Sequence, residues 1–125
     1  MEFKIDTKPS YTIITPLSNV LNAALTDAIR DKWEELTQSG SPNVIIDLTN
    51  CLRTDETAFD LIAGLHADVY EAEQSIVFTN IRTEVLRAFK EKELDLVINV
   101  APSLAEAVDI VSMEILERDL FRDDS

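Results

Sequence analysis

The chain has 125 residues, 46% of them hydrophobic, with only two glycines and four prolines and a formal charge of -13. That size suits one domain with a core of its own, and the composition excludes a low-complexity chain. The acidic balance argues against nucleic acid and against anionic membrane surfaces, since both need basic side chains.

Phe3 to Lys8 and Tyr11 to Thr15 read as two short strands joined by a Lys8-Pro9-Ser10 turn, a hairpin pattern. Leu21, Ala24, Leu25, Ala28, Ile29, Trp33 and Leu36 then recur at helical spacing, and Ser39-Gly40-Ser41-Pro42 ends that helix. Val44 to Leu48 is apolar except for Asp47, the pattern of a strand covered on both faces. A second helix is expected to bury Ala58, Leu61, Ile62, Leu65, Val69 and Ala72. Ile76-Val77-Phe78 reads as a central strand, Val85, Leu86 and Phe89 mark a third helix, and Leu96-Val97-Ile98 reads as a last strand. The final helix carries Leu104, Ala107, Val108, Val111 and Ile115, with Ser103 and Glu106 as a capping box. The alternation predicts an α/β fold: a mostly parallel sheet, an N-terminal antiparallel strand pair and about four helices. One domain is expected over 1–117, with a flexible tail over 118–125 that frays from Arg122 onward.

Most enzyme signatures are absent. Gly40 and Gly64, the only glycines, lie in no phosphate-binding motif, and no serine sits in a nucleophile elbow. His66 is the only histidine and lies mid-helix, where a structural role outweighs a catalytic one. Cys51 is the only cysteine, so no internal disulfide forms, a reducing compartment fits, and a small buried residue is the better reading. Asp47, Asp55 and Glu56 supply carboxylates for magnesium, but a further ligand is not evident, so no metal or cofactor is expected. Met1-Glu2-Phe3-Lys4-Ile5 lacks the pattern of a signal peptide and no apolar run approaches the ~18 residues of a membrane span. A cytoplasmic, non-enzymatic protein is the expectation.

Thr54-Asp55-Glu56-Thr57-Ala58 is the most informative stretch. It follows a strand and opens a helix, the junction where α/β domains commonly place their sites. Two carboxylates and two hydroxyls sit there, with no lysine or arginine from Thr54 through Ile81. The plain alternative is helix capping, because Thr54 or Asp55 makes a good N-cap and carboxylates suit a first turn. Arg82, Arg87, Lys90 and Lys92 alternate with Glu84, Glu91 and Glu93, which reads as a solvated helix face. Phe59, Ala63, His66 and Tyr70 form a band beside the second helix's apolar stripe. It is read first as a wide buried face, and second as a partner-binding edge.

Asn43-Val44-Ile45-Ile46-Asp47-Leu48-Thr49 before the acidic loop, Ile76-Val77-Phe78-Thr79-Asn80-Ile81 after it, then Val85-Leu86-Arg87-Ala88-Phe89, Leu94 and Ser103-Leu104-Ala105-Glu106-Ala107 carry a resemblance. Over about Phe3 to Ile115 the chain resembles the STAS domain, the small α/β module of anti-sigma factor antagonists that is also appended to sulfate transporters. The resemblance implies a STAS-like single-domain fold and a protein-binding role in bacterial transcription regulation and signal transduction. In that family the equivalent loop typically reads Asp-Ser-Ser-Gly, and its first serine is phosphorylated by a partner kinase that doubles as the anti-sigma factor. The unphosphorylated form binds that partner and frees sigma. Here Asp55 matches the aspartate, Glu56 replaces the phosphoacceptor, Thr57 the second serine and Ala58 the glycine. The family's early glycine is also absent around Ser18 and Asn19.

The resemblance therefore implies Asp55, Glu56, Thr57, Ala58, Phe59, Ala63 and His66 as a partner-binding set, with Glu56 and Thr57 at the phosphosite position. The partner implied is an anti-sigma factor or serine kinase-like protein, and a homodimer stays open. Glu56 as a phosphomimetic, Thr57 as a displaced acceptor, and a different partner for a fixed acidic loop are competing expectations. A receiver-like or pseudo-receiver domain with Asp47 as phosphoacceptor is the alternative, although Ile13-Ile14-Thr15-Pro16 supplies no acidic pair and Ala101 stands where a lysine would be needed. A small-ligand-sensing STAS module is a further alternative.

Overall fold

The computed structural model describes residues 2–123, with side-chain surroundings through Arg122. Five strands form one sheet in the order β1 (Phe3–Thr7), β2 (Thr12–Pro16), β4 (Val44–Asp47), β6 (Ile76–Thr79) and β7 (Val100–Ala101). β1 pairs antiparallel with β2, and every other pairing in the sheet is parallel. The hairpin and the mixed sheet thus form as expected. Two short segments, β3 (Val20–Leu21) and β5 (Arg53–Thr54), pair separately in parallel.

Neighbouring residues of the central strands point to opposite faces, so each strand feeds two cores. Ile14, Ile46 and Phe78 face α1 (Ala23–Ser39), α2 (Phe59–Glu71) and α3 (Thr83–Glu91), meeting Leu25, Ile29, Trp33, Ile62, Leu65, Val69, Val85 and Phe89. Ile13, Ile45 and Val77 face the opposite way and meet Ala107 and Val111 of α4 (Leu104–Asp123). This two-sided burial explains why β4 and β6 are apolar at successive positions rather than alternating.

The helix ends follow their local chemistry. The Asn22 side chain accepts from the Leu25 N–H at 2.9 Å, and Gly40 closes α1 in the left-handed conformation at φ 97°, donating its N–H to the Leu36 carbonyl. Ser103 Oγ accepts from the Glu106 N–H at 3.3 Å, half of the expected capping box.

Three expectations are corrected. Leu96-Val97-Ile98 is not a strand: Glu93 takes a left-handed conformation at φ 59°, a 3-10 turn covers Leu94–Leu96, and the last strand is Val100–Ala101. Leu61 and Ala72 do not join the buried face of α2; both are exposed, while Phe59 is buried instead. The last helix passes residue 117 and continues to Asp123, with Arg118 donating to Asn43 Oδ1 at 3.1 Å and to Ser75 Oγ at 3.0 Å. The expectation for residues 124 and 125 lies outside the described residues.

Candidate functional site

The acidic loop lies past the carboxyl end of β4, held by backbone bonds to the segment before α1. Leu52 N–H donates to the Asn19 carbonyl at 2.7 Å, and Asp55 N–H to the Leu21 carbonyl at 2.9 Å. The Thr54 hydroxyl donates to the same Leu21 oxygen at 2.9 Å. Thr54 is thereby a structural clip. Asp55 is extended, and its carboxylate accepts from the Thr57 N–H at 3.0 Å, capping a 3-10 turn over Glu56–Ala58 that leads into α2. The capping role foreseen for Asp55 is therefore present.

Glu56 is the first residue of that turn and points outward, with its side chain 74% exposed. Its Oε1 lies 3.6 Å from Nζ of Lys92, the residue that ends α3. Such an exposed pair contributes little to stability. Its effect is on charge: Lys92, the cation paired with Glu56, comes from a helix whose charges the sequence suggested to be only a solvated face. Between them opens a shallow groove lined by Glu56, Phe59, Asp60, Ala63, Lys92, Leu94 and Val97. Leu96 and Val97, expected inside a strand, are 77% and 58% exposed at its side. Sequence reasoning missed Lys92, Leu94 and Val97. The one signal for them was an apolar triplet following a charged helix end.

The expected contact set divides. Asp55, Glu56 and Thr57 are exposed, Ala63 and His66 are partly exposed, and Ala58 and Phe59 are buried. Ala58 is fully buried and supports the loop from beneath, while Phe59 is buried but for the edge that lines the groove. Phe59 packs edge-on against Phe89 of α3, ring centroids 5.5 Å apart.

The sequence matches the model of the STAS domain over residues 2–107, most of its length. The chain belongs to the STAS domain family. No protein of curated function matches this STAS domain. Among solved structures it is similar in fold to TM1081 of Thermotoga maritima, at 15% identity and a TM-score of 0.75, covering 90% of either chain. A serine-to-glutamate variant of RsbS from Moorella thermoacetica gives 18% identity and a TM-score of 0.72, covering 94% of this chain and 99% of the variant. The anti-sigma factor antagonist SpoIIAA of Bacillus, in its unphosphorylated form, gives 18% identity and a TM-score of 0.67, covering 89% of this chain and 96% of its own.

Asp47, the phosphoacceptor of the receiver alternative, accepts from Thr49 N–H at 3.1 Å and from the Asn80 amide at 3.2 Å. Among the described residues, no three histidine, cysteine, aspartate or glutamate side chains converge as a metal site. No helix among them is long and apolar enough to cross a membrane. Cys51 is buried and donates to the Ser18 carbonyl at 3.4 Å, and burial raises its thiol to about 11, which keeps it out of the reactive thiolate form at neutral pH.

His66 and Tyr70 tie α2 to the far side of the sheet. His66 Nε2 accepts from the Asn99 N–H at 3.1 Å, and the Tyr70 hydroxyl donates to Glu114 Oε1 at 2.7 Å while accepting from the Asn99 amide. Of the second α2 band, Phe59 is buried, while Ala63, His66 and Tyr70 are half-buried. Burial lowers the His66 pKa, and the Glu114 charge only partly opposes it. A histidine whose folded pKa lies below its unfolded value of about 6.5 takes up protons more readily when unfolded. Its contribution is present at neutral pH and lost as pH falls from about 6.5 toward the folded pKa. Urea midpoints should therefore drop between pH 7.5 and 5.5, and less so in His66→Gln, which keeps an acceptor without titrating. Equal drops in both proteins would remove His66 as the cause.

Proposed function

We propose that this STAS domain is a non-enzymatic, cytoplasmic partner-switching module of the anti-sigma factor antagonist kind, with Glu56 standing where the family carries its phosphoserine. The observation that supports this reading most is the placement of Glu56: a permanent carboxylate, 74% exposed, on a loop immobilised by backbone bonds at the start of a helix turn. Phosphorylation at such a position adds about -1.5 to -2 charge at the surface a partner meets. Glu56 supplies one negative charge at all times, and Lys92 offsets part of it. The switch is thereby biased toward its phosphorylated-like state. Thr57, exposed beside it with its N–H engaged by Asp55, is the candidate acceptor displaced by one position.

The partner implied is an ATP-binding anti-sigma factor of the serine kinase-like class. It would contact Asp55, Glu56 and Thr57, with the partly exposed Ala63 and His66 at the margin. An affinity pull-down from the native organism, comparing the wild-type domain with Glu56→Ser by mass spectrometry, tests the reading. Such a kinase recovered with Glu56→Ser and not with wild type is the expected result. Equal recovery by both would shift control to Thr57, to be checked by intact mass. No kinase in either sample overturns the anti-sigma assignment.

A further inference from the structure

Among the described residues, the second half of α4 carries the largest set of exposed apolar side chains. Met113, Leu116 and Leu120 are 62%, 60% and 57% exposed. Their spacing of three and four residues places them in one row along about 10 Å of helix. The row lies away from the sheet, because Ala107, Val111 and Ile115 take the buried face. A helix that is apolar on both sides has one side committed to its own core and another without a partner.

The charges sharing that row are all of one sign. Glu106 and Asp109 precede Met113 at the same helical spacing, Glu117 lies one turn beyond it, and all three are exposed. The only basic residues of α4 are turned elsewhere: Arg118 donates to Asn43 and Ser75 beside the sheet, and Arg122 reaches Glu73 and Asp119. A second copy of the chain is a poor occupant, since it would bring the same carboxylates and another formal charge of -13 to the contact. We infer that the Met113–Leu116–Leu120 face of α4 is a docking surface for a basic amphipathic helix of another protein. Apolar residues of that helix at matching spacing would cover the row, and flanking lysines or arginines would meet Glu106, Asp109 and Glu117. This is the helix-against-helix mode in which apolar area supplies affinity and complementary charge selects the partner. The surface lies on α4, on the other face of the sheet from α2, so both contacts can be tested separately.

The test uses the whole domain and two synthetic 18-residue helical peptides, one of leucine and lysine, the other of leucine and glutamate on the same pattern. Titration by fluorescence anisotropy is combined with amide chemical-shift mapping. The lysine peptide should bind, with shifts concentrated between residues 106 and 120, and the glutamate peptide should not. The double variant Leu116→Ser, Leu120→Ser should weaken lysine-peptide binding about tenfold or more. Leu52→Ser, which removes an exposed leucine elsewhere, should leave it unchanged. Shifts centred on residues 54–57, equal binding by the double variant, or equal binding of the two peptides would each overturn the inference. A concentration-dependent dimer in sedimentation velocity, lost in the double variant, would overturn it in favour of a second copy. Glu56→Ser should not alter peptide binding, so the outcome is independent of the switch at the acidic loop.

Discussion

Phe89→Ala should cost about 3–5 kcal/mol of folding stability, the range for truncating a buried aromatic. Phe89 is fully buried and meets the Phe59 ring edge-on at 90°, so its removal leaves a cavity lined by the first residue of α2. Against a typical total of about 5–15 kcal/mol, that is a large fraction of the stability of a single domain. The loss also bears on the candidate site. Phe59 follows directly on the turn that displays Glu56, and the loop's other anchors are the backbone bonds to Asn19 and Leu21 and the Thr54 hydroxyl bond to Leu21. Urea unfolding should show the drop in midpoint, and the amides of Thr57 and Phe59 should exchange faster in the variant. A loss below about 1 kcal/mol would mean that α3 closes over the space and that Phe89 does not support the loop.

Tyr70→Phe should destabilise by about 1–3 kcal/mol, because it keeps the ring and strands the Glu114, Asn99 and Ile76 groups that meet the hydroxyl. The hydroxyl serves Glu114 of α4 and Asn99 ahead of β7 at once, so one atom joins α2 to both. Burial, and then the hydrogen bond and charge of Glu114, hold the Tyr70 pKa above its ordinary value. A group whose folded pKa is raised stabilises fully below its unfolded pKa and loses that contribution as pH rises beyond it. For Tyr70 the loss begins near pH 10. Cys51 acts with the same sign from a lower pH, since its thiol is raised from 9.0 to about 11. Wild-type stability should therefore fall from about pH 9 upward, and the part beyond about pH 10 should shrink in Tyr70→Phe. Parallel pH profiles for the two proteins above pH 10 would show that the phenol does not titrate in the folding equilibrium.

The elements that the sequence made legible are those written in local chemistry. Gly40 closes α1 because the left-handed cap needs no distant partner, and the Asp55 and Ser103 side chains cap turns within three residues of themselves. The apolar runs at Val44–Leu48 and Ile76–Phe78 indicated strands covered on both faces, and the two core clusters on either side of the sheet are the cause. The order of these segments sufficed for the family, and the model match over residues 2–107 agrees with it.

What failed was written in non-local chemistry. Leu96-Val97-Ile98 has the composition of a strand, and a three-residue apolar run does not distinguish a strand from a surface turn. The left-handed Glu93 decides for the turn, leaving Leu96 and Val97 in the open beside the groove. The band on α2 posed the same difficulty. Periodicity shows which residues share a face, while the sheet order decides that Phe89 covers Phe59 and that Asn99 and Glu114 meet Tyr70.

By itself, then, the sequence determined the single α/β domain, the Gly40 and Ser103 helix ends, its family and an acidic strand-to-helix junction. All of these rest on residues within a few positions of one another or on the order of elements along the chain. Only the tertiary structure decided that Glu56 faces Lys92, that Ala58 and Phe59 lie beneath the loop, and that α4 keeps an apolar, acid-rimmed face outward. Those outcomes depend on which distant segment packs against which face, a free energy summed over the whole core that no single stretch of the chain carries.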